Sequence, residues 1–128
     1  MEPRSRILFL LLVLAQAAHS VEEYLFRLYD LFPPARYVAD AFGVDRPLGF
    51  LIFNTLLVGF GLWCWFASVR PGRGSARGFA WFWALLESAN GLGHIGLAIA
   101  AGGYFPGLAT APLLLGLGLW LVFDLTRR

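Results

Sequence analysis

The stretch Ile7-Leu-Phe-Leu-Leu-Leu-Val-Leu-Ala-Gln-Ala-Ala-His19-Ser-Val-Glu22-Glu23 decides how this chain is read. From Ile7 to Ala18 only Gln16 interrupts the apolar run, and then a histidine and two carboxylates arrive within five residues. Crossing a bilayer takes roughly 20 apolar residues in a helix, so these groups fall inside a span or at its far end. Ionisable side chains at that depth are rare unless they pair, bind something or react.

The rest of the chain places this helix in a membrane. Of 128 residues, 59% are hydrophobic and 16% aromatic, while only 14% are charged. A soluble domain this short could not cover so much apolar surface with so few charges. Three further apolar stretches are long enough to cross. The prediction is an all-α fold, one integral-membrane four-helix bundle over residues 1–128, with spans at about 6–26, 47–69, 76–101 and 110–125. The first helix should run on amphipathically to Phe32, where Pro33-Pro34 stops it. Residues 35–46 form a mixed loop with one helical turn near 37–42. Thr110 suits an N-cap and Pro112 a first helical turn.

The ten basic residues are all arginine, and the net charge is only +2. Arg4 and Arg6, then Arg70, Arg73 and Arg77, then Arg127 and Arg128 share one side if the chain crosses four times. The positive-inside rule then puts both termini in the cytoplasm, in a plasma (inner) membrane. Arginine at helix ends reports topology, and no nucleic-acid partner is expected. The lone Cys64 excludes an internal disulfide and a cysteine zinc site. One rival concerns residues 1–17, which also read as a signal peptide: two arginines, an apolar core, then Ala15-Gln16-Ala17. Intact mass distinguishes the two.

Two polar stripes carry the chemistry. His19, Glu22 and Glu23 lie at i, i+3 and i+4 of helix one, within roughly 100° of arc. Glu87, Asn90 and His94 lie at i, i+3 and i+7 of the third span, within roughly 60°. Both helices start on the arginine-rich side, so depth can be counted at about 1.5 Å per residue. His19 is then roughly 20 Å from Arg6 and the two glutamates roughly 24–26 Å, while Glu87 to His94 lie roughly 14–24 Å from Gly78. Stripes at matching depth should face each other. Asn54 reaches the same level, with Gln16 one turn before His19. Tyr104-Phe-Pro106-Gly107-Leu-Ala-Thr110 turns above them. The glycines at 91, 93 and 96 spell Gly-x-Gly-x-x-Gly, but no strand precedes them, so a dinucleotide fold is rejected.

Three motifs thus stand together: His19-x-x-Glu22-Glu23, Asn90-x-x-x-His94 and Tyr104-x-Pro106-Gly107-x-x-Thr110. Their set and order resemble the HXXEE-domain family of small bacterial membrane proteins. The resemblance covers residues 19–110 and implies a membrane domain with these polar residues as its signature. It implies no particular reaction.

The residues support an integral-membrane enzyme acting on a lipid or other apolar small molecule. His19, Glu22, Glu23, Glu87, Asn90 and His94 would be its catalytic set, by acid–base or metal-assisted chemistry. Tyr104, Pro106, Gly107, Thr110 and Asn54 would surround the substrate. His19, Glu22, Glu23 and His94 would be ligands for a divalent metal, zinc or iron. A full di-iron site wants more carboxylates and Glu-x-x-His spacing. The alternatives are a proton- or metal-binding or transport protein, which would need a homo-oligomer or a second polar layer, and a non-catalytic scaffold in which these residues only hydrogen-bond helices together.

Overall fold

A computed structural model describes residues 1–127 of the chain. Among them are six α-helices and no strand: α1 (Pro3–Leu25), α2 (Leu28–Leu31), α3 (Pro33–Asp40), α4 (Arg46–Cys64), α5 (Ala76–Ala101) and α6 (Ala111–Thr126). The last turn of α4 widens into a π-helix over Trp65–Val69. Two helices, Pro3–Leu25 and Arg46–Val69, are long and apolar enough to cross a membrane. Helix α6 is apolar but has 16 residues, and α5 has the length, 26 residues, but carries the polar stripe.

The first helix is shorter than expected. It ends at Leu25, and Arg27 takes a left-handed conformation with φ of 60°. The bend turns Leu28 and Tyr29 inward, where they pack with Ala39 and Phe50. Burying those side chains outweighs the cost of about 1–2 kcal/mol for a left-handed L-residue. Pro33-Pro34 does more than stop a helix. The two prolines open α3, because the first turn needs no backbone N–H from them.

Both termini lie at one end of the bundle. Arg4 and Ser5 hydrogen-bond the Asp124 carboxylate. Arg6 reaches the Arg70 carbonyl at 3.1 Å, and Arg77 the Leu125 carbonyl at 2.6 Å. The sequence suggests Arg127 or Arg128 as the partner of Asp124, and the structure gives Arg4 instead; Arg128 lies outside the described residues. Next to this end lies a wholly apolar core built on Phe9, Leu12, Val13, Trp83, Leu121 and Cys64. Trp83 is fully buried there and does not join an interfacial belt. The small core around Tyr29 and Phe50 sits at the far end. Between the two cores runs a layer of buried polar residues: Gln16, His19, Ser20, Glu23, Asn54, Glu87 and His94.

Helices α5 and α6 form a tight hairpin. A Cβ on Gly91 would stand 2.6 Å from the Ala111 carbonyl, so only glycine permits this spacing. Gly93 and Gly96 face open space and carry no such constraint. The outward faces are apolar: Ile7, Leu14 and Val21 on α1, Leu56 on α4, Leu92 and Ile99 on α5 and Leu119 on α6 are all more than half exposed. So much exposed aliphatic surface on every long helix is foreign to a monomer in water.

Candidate functional site

The polar layer is assembled from three directions. Helix α1 contributes Gln16, His19, Ser20, Glu22 and Glu23, and α5 contributes Glu87, Asn90 and His94. Residues 104–110, which join α5 to α6, close the layer from the end away from the termini. The expectation that the two stripes face each other at one depth holds for His19 and His94. Their rings meet edge to face with centroids 4.5 Å apart.

Glu23 lies between the two imidazoles. Its Oε2 is 3.1 Å from His94 Nε2 and 3.5 Å from His19 Nε2. The three ligand atoms all lie within 4.8 Å of one another, and all three side chains are buried. A metal held at about 2.0–2.2 Å places neighbouring ligand atoms roughly 3.0–3.6 Å apart, so the two separations to Glu23 already suit one. The His94–Glu23 distance equally suits a hydrogen bond.

Glu22 takes a different part from the one expected of it. Its Oε1 accepts from the Thr110 backbone N–H (2.9 Å) and hydroxyl (2.6 Å). Its Oε2 accepts from the Tyr104 hydroxyl (2.5 Å) and from the N–H groups of Gly107 (3.1 Å) and Ala109 (3.0 Å). A carboxylate has about four lone-pair sites, and five donors use them up. Glu22 therefore has nothing left for a metal. It sits against the turn that leads into α6, whose Gly107, Ala109 and Thr110 N–H groups converge on it at the positive end of the helix dipole. Consecutive helical residues diverge by about 100°, which is why Glu22 turns to the loop while Glu23 turns to the histidines.

Thr110 links the two halves. It precedes α6, yet its hydroxyl makes no capping bond to that helix. Its proton points at Glu22, and its oxygen lies 2.6 Å from His19 Nδ1. Because Glu22 only accepts, the Thr110 oxygen must accept in turn from His19, which puts the ring proton on Nδ1. His19 Nε2 is left as a bare lone pair on the side of Glu23. An indirect carboxylate–histidine contact of this kind orients metal-binding imidazoles in general. His94 lacks the counterpart: its Nδ1 is buried without a hydrogen-bond partner among the described residues.

Gly107 is the roof. Its φ is 101°, and a Cβ there would strike the His94 ring and come within 2.7 Å of His19 Cε1. Tyr104 is half exposed, but its hydroxyl faces the Glu22 carboxylate; burial and that bond push its pKa up to about 12 and keep it a donor. Tyr104, Pro106, Gly107 and Thr110 thus hold the site's shape and do not line the adjoining cavity.

That cavity, of about 490 Å³, is bordered by Gln16, Glu23, Asn54, Glu87, Asn90 and His94 at its polar end and by apolar side chains of α2, α3, α4 and α5 elsewhere. Glu87 is fully buried, and its two oxygens meet the Gln16 amide at 2.7 and 2.8 Å. Asn90 Nδ2 is 3.4 Å from Glu87 Oε2. The oxygen end of the Gln16 amide accepts from the Ser20 hydroxyl at 2.9 Å, and the Ser20 oxygen lies 2.7 Å from Asn54 Oδ1. So Asn54 joins the layer, through Ser20. Ser20 was missed from sequence; its position four residues beyond Gln16 was the available signal.

No curated protein and no solved structure matches this chain. One family model matches, described as a protein of unknown function with HXXEE motif, over residues 10–121. That range takes in the His19, Glu22 and Glu23 set, the α5 stripe and the 104–110 turn that meets them. The chain belongs to the HXXEE family.

Proposed function

We propose that this protein is an integral-membrane enzyme in which His19, Glu23 and His94 hold a divalent metal and act on an apolar small molecule. In this reading α1, α4, α5 and α6 cross the inner membrane, both termini are cytoplasmic, and the site lies in the outer half of the bilayer. The observation that carries it is the convergence of two imidazole Nε2 atoms on one Glu23 oxygen, at the polar end of an otherwise apolar cavity. Three protein ligands with room beside them are the pattern of a catalytic metal site. The exposed aliphatic faces support the membrane setting, and the arginines gathered at one end support the orientation.

A bound zinc or iron would supply Lewis-acid character. The chain's own residues would do the rest. Glu22 and Thr110 fix the His19 ring so that Nε2 is available. Glu87 and Asn90 border the cavity where a substrate oxygen would lie. The two cores exclude water from either end. A metal-free acid–base enzyme is the second reading, favoured by the His94–Glu23 separation of 3.1 Å, within reach of a proton transfer between them. A transport path finds less support, because the core around Phe9 and Trp83 contains no polar layer.

The test is elemental analysis of protein purified in mild detergent and reloaded with zinc or ferrous iron. About one ion per chain is expected, lost in His94→Ala and in Glu23→Ala. Absence of a stoichiometric metal in the wild type under both conditions would overturn the metal reading in favour of the acid–base one.

A further inference from the structure

Helix α4 packs along α1 and α3, and α5 packs along α6, but α4 and α5 barely meet. Where they do, the Phe60 ring of α4 meets Phe79 and Phe82 of α5 edge to face and Trp83 at a tilt, nearer the end that carries the termini. Beyond that aromatic seal the two helices part. Phe53 and Leu57 form one lip and Leu86 and Ala89 the other, and all four line the cavity. Phe53 and Leu86 are each 37% exposed, on the side that would face lipid.

The charge around this cavity is one-sided. Among the described residues its ionisable liners are Glu23, Glu87 and His94, and no arginine borders it. Arg27 and Arg46 are paired with Asp30 and Asp40 outside it. No guanidinium faces the cavity to pair with an anionic headgroup. The Asn90 amide, which also lines the cavity, is suited to an uncharged oxygen. At roughly 30 Å³ per water-sized group, about 490 Å³ holds some sixteen such groups, enough for one chain and too few for two.

We infer that the gap between α4 and α5 is a lateral entrance from the bilayer, and that the cavity takes an uncharged single-chain lipid with a hydroxyl or carbonyl group. The chain lies between the lips against Phe32 and Val38, and the oxygen lies among Asn90, Glu87 and His94. Only the fate of that oxygen rests on the enzymatic reading above. A fatty-acid anion is the poorer fit, because no arginine borders the cavity to pair with its carboxylate, which would lie beside Glu23.

The experiment uses the full chain in lipid nanodiscs with hexadecanol bearing a mid-chain diazirine. Photolabelling is mapped by peptide mass spectrometry, and metal content is measured on the same samples. Label is expected on the peptides carrying Phe53, Leu57, Leu86 and Ala89, competed by unlabelled hexadecanol at least about tenfold better than by palmitate at neutral pH. Ala89→Trp, which fills one lip, should cut labelling about tenfold while leaving metal content unchanged. Leu92→Trp, on the outer face of α5, should leave labelling as in the wild type. Equal competition by palmitate, label spread over the outer faces around Leu92 and Ile99, or labelling indifferent to Ala89→Trp would overturn the inference. Seam labelling in a protein that takes up no metal would uphold the lipid site and remove the metal reading.

Discussion

Thr110→Val removes one hydroxyl and almost no volume, and the structure assigns that hydroxyl two bonds. One is donated to the Glu22 carboxylate at 2.6 Å, and one is accepted from His19 Nδ1 at 2.6 Å. A hydrogen bond to a charged group is worth about 1.5–3 kcal/mol, and a buried donor left alone costs about 1–3 kcal/mol. Within a membrane measured values fall at the low end, about 0.6 kcal/mol on average, because the unfolded helices also find partners. The expected loss for the two bonds is therefore roughly 1–3 kcal/mol. The Thr110 backbone bond to Glu22 survives, so the fold should persist. The sharper effect is on the metal. Freed from Thr110, the His19 ring can turn or exchange its proton to Nε2, and losing an orienting partner typically costs 10–100-fold in affinity. Zinc affinity by chelator competition and thermal unfolding in detergent are the two readouts, with Thr110→Ser restoring both. A Val variant that binds zinc as tightly as the wild type would refute the reasoning that Thr110 sets the His19 tautomer.

Glu22→Gln replaces an acceptor-only group with one that carries two donors against five donors, so the 104–110 turn should loosen. Hydrogen exchange at the amides of Gly107, Ala109 and Thr110 should quicken by at least about tenfold, with α4 unaffected. Gly107→Ala meets both a φ of 101° and two imidazole rings, so a loss of about 3 kcal/mol or more and of bound metal is expected, read by unfolding and elemental analysis. Asp124→Asn weakens the tie to Arg4 and Ser5 far from the site; stability should fall by about 1–2 kcal/mol with metal content intact, since the lock is structural.

The α-helical class and the meeting of the two stripes were legible because both rest on period and depth, which a sequence carries directly. Polar residues in an apolar helix must find each other, and counting residues from Arg6 and Gly78 makes the depths of the two stripes overlap, His19 falling between Asn90 and His94. The division of labour between Glu22 and Glu23 was not legible. It depends on which neighbour stands on each side of α1, and only the docked turn before α6 decides it. The bend at Arg27 was hidden for a similar reason: nothing local favours a left-handed arginine, and the reward comes from Leu28 and Tyr29 reaching Phe50. Asp124 had arginines beside it in sequence, yet the partner came from the other end of the chain, across the bundle.

The Glu22 cradle bears on how such a chain is made. Every donor that satisfies this carboxylate comes from residues 104–110, while Glu22 itself belongs to a helix made at least 82 residues earlier. Until residues 104–110 are made, that helix must wait with its acid unmet, and water or another protein has to meet it. A nascent chain arrested before Tyr104 should leave Glu22 open to a water-soluble carboxyl reagent, and one in which the turn over residues 104–110 has been made and docked should protect it.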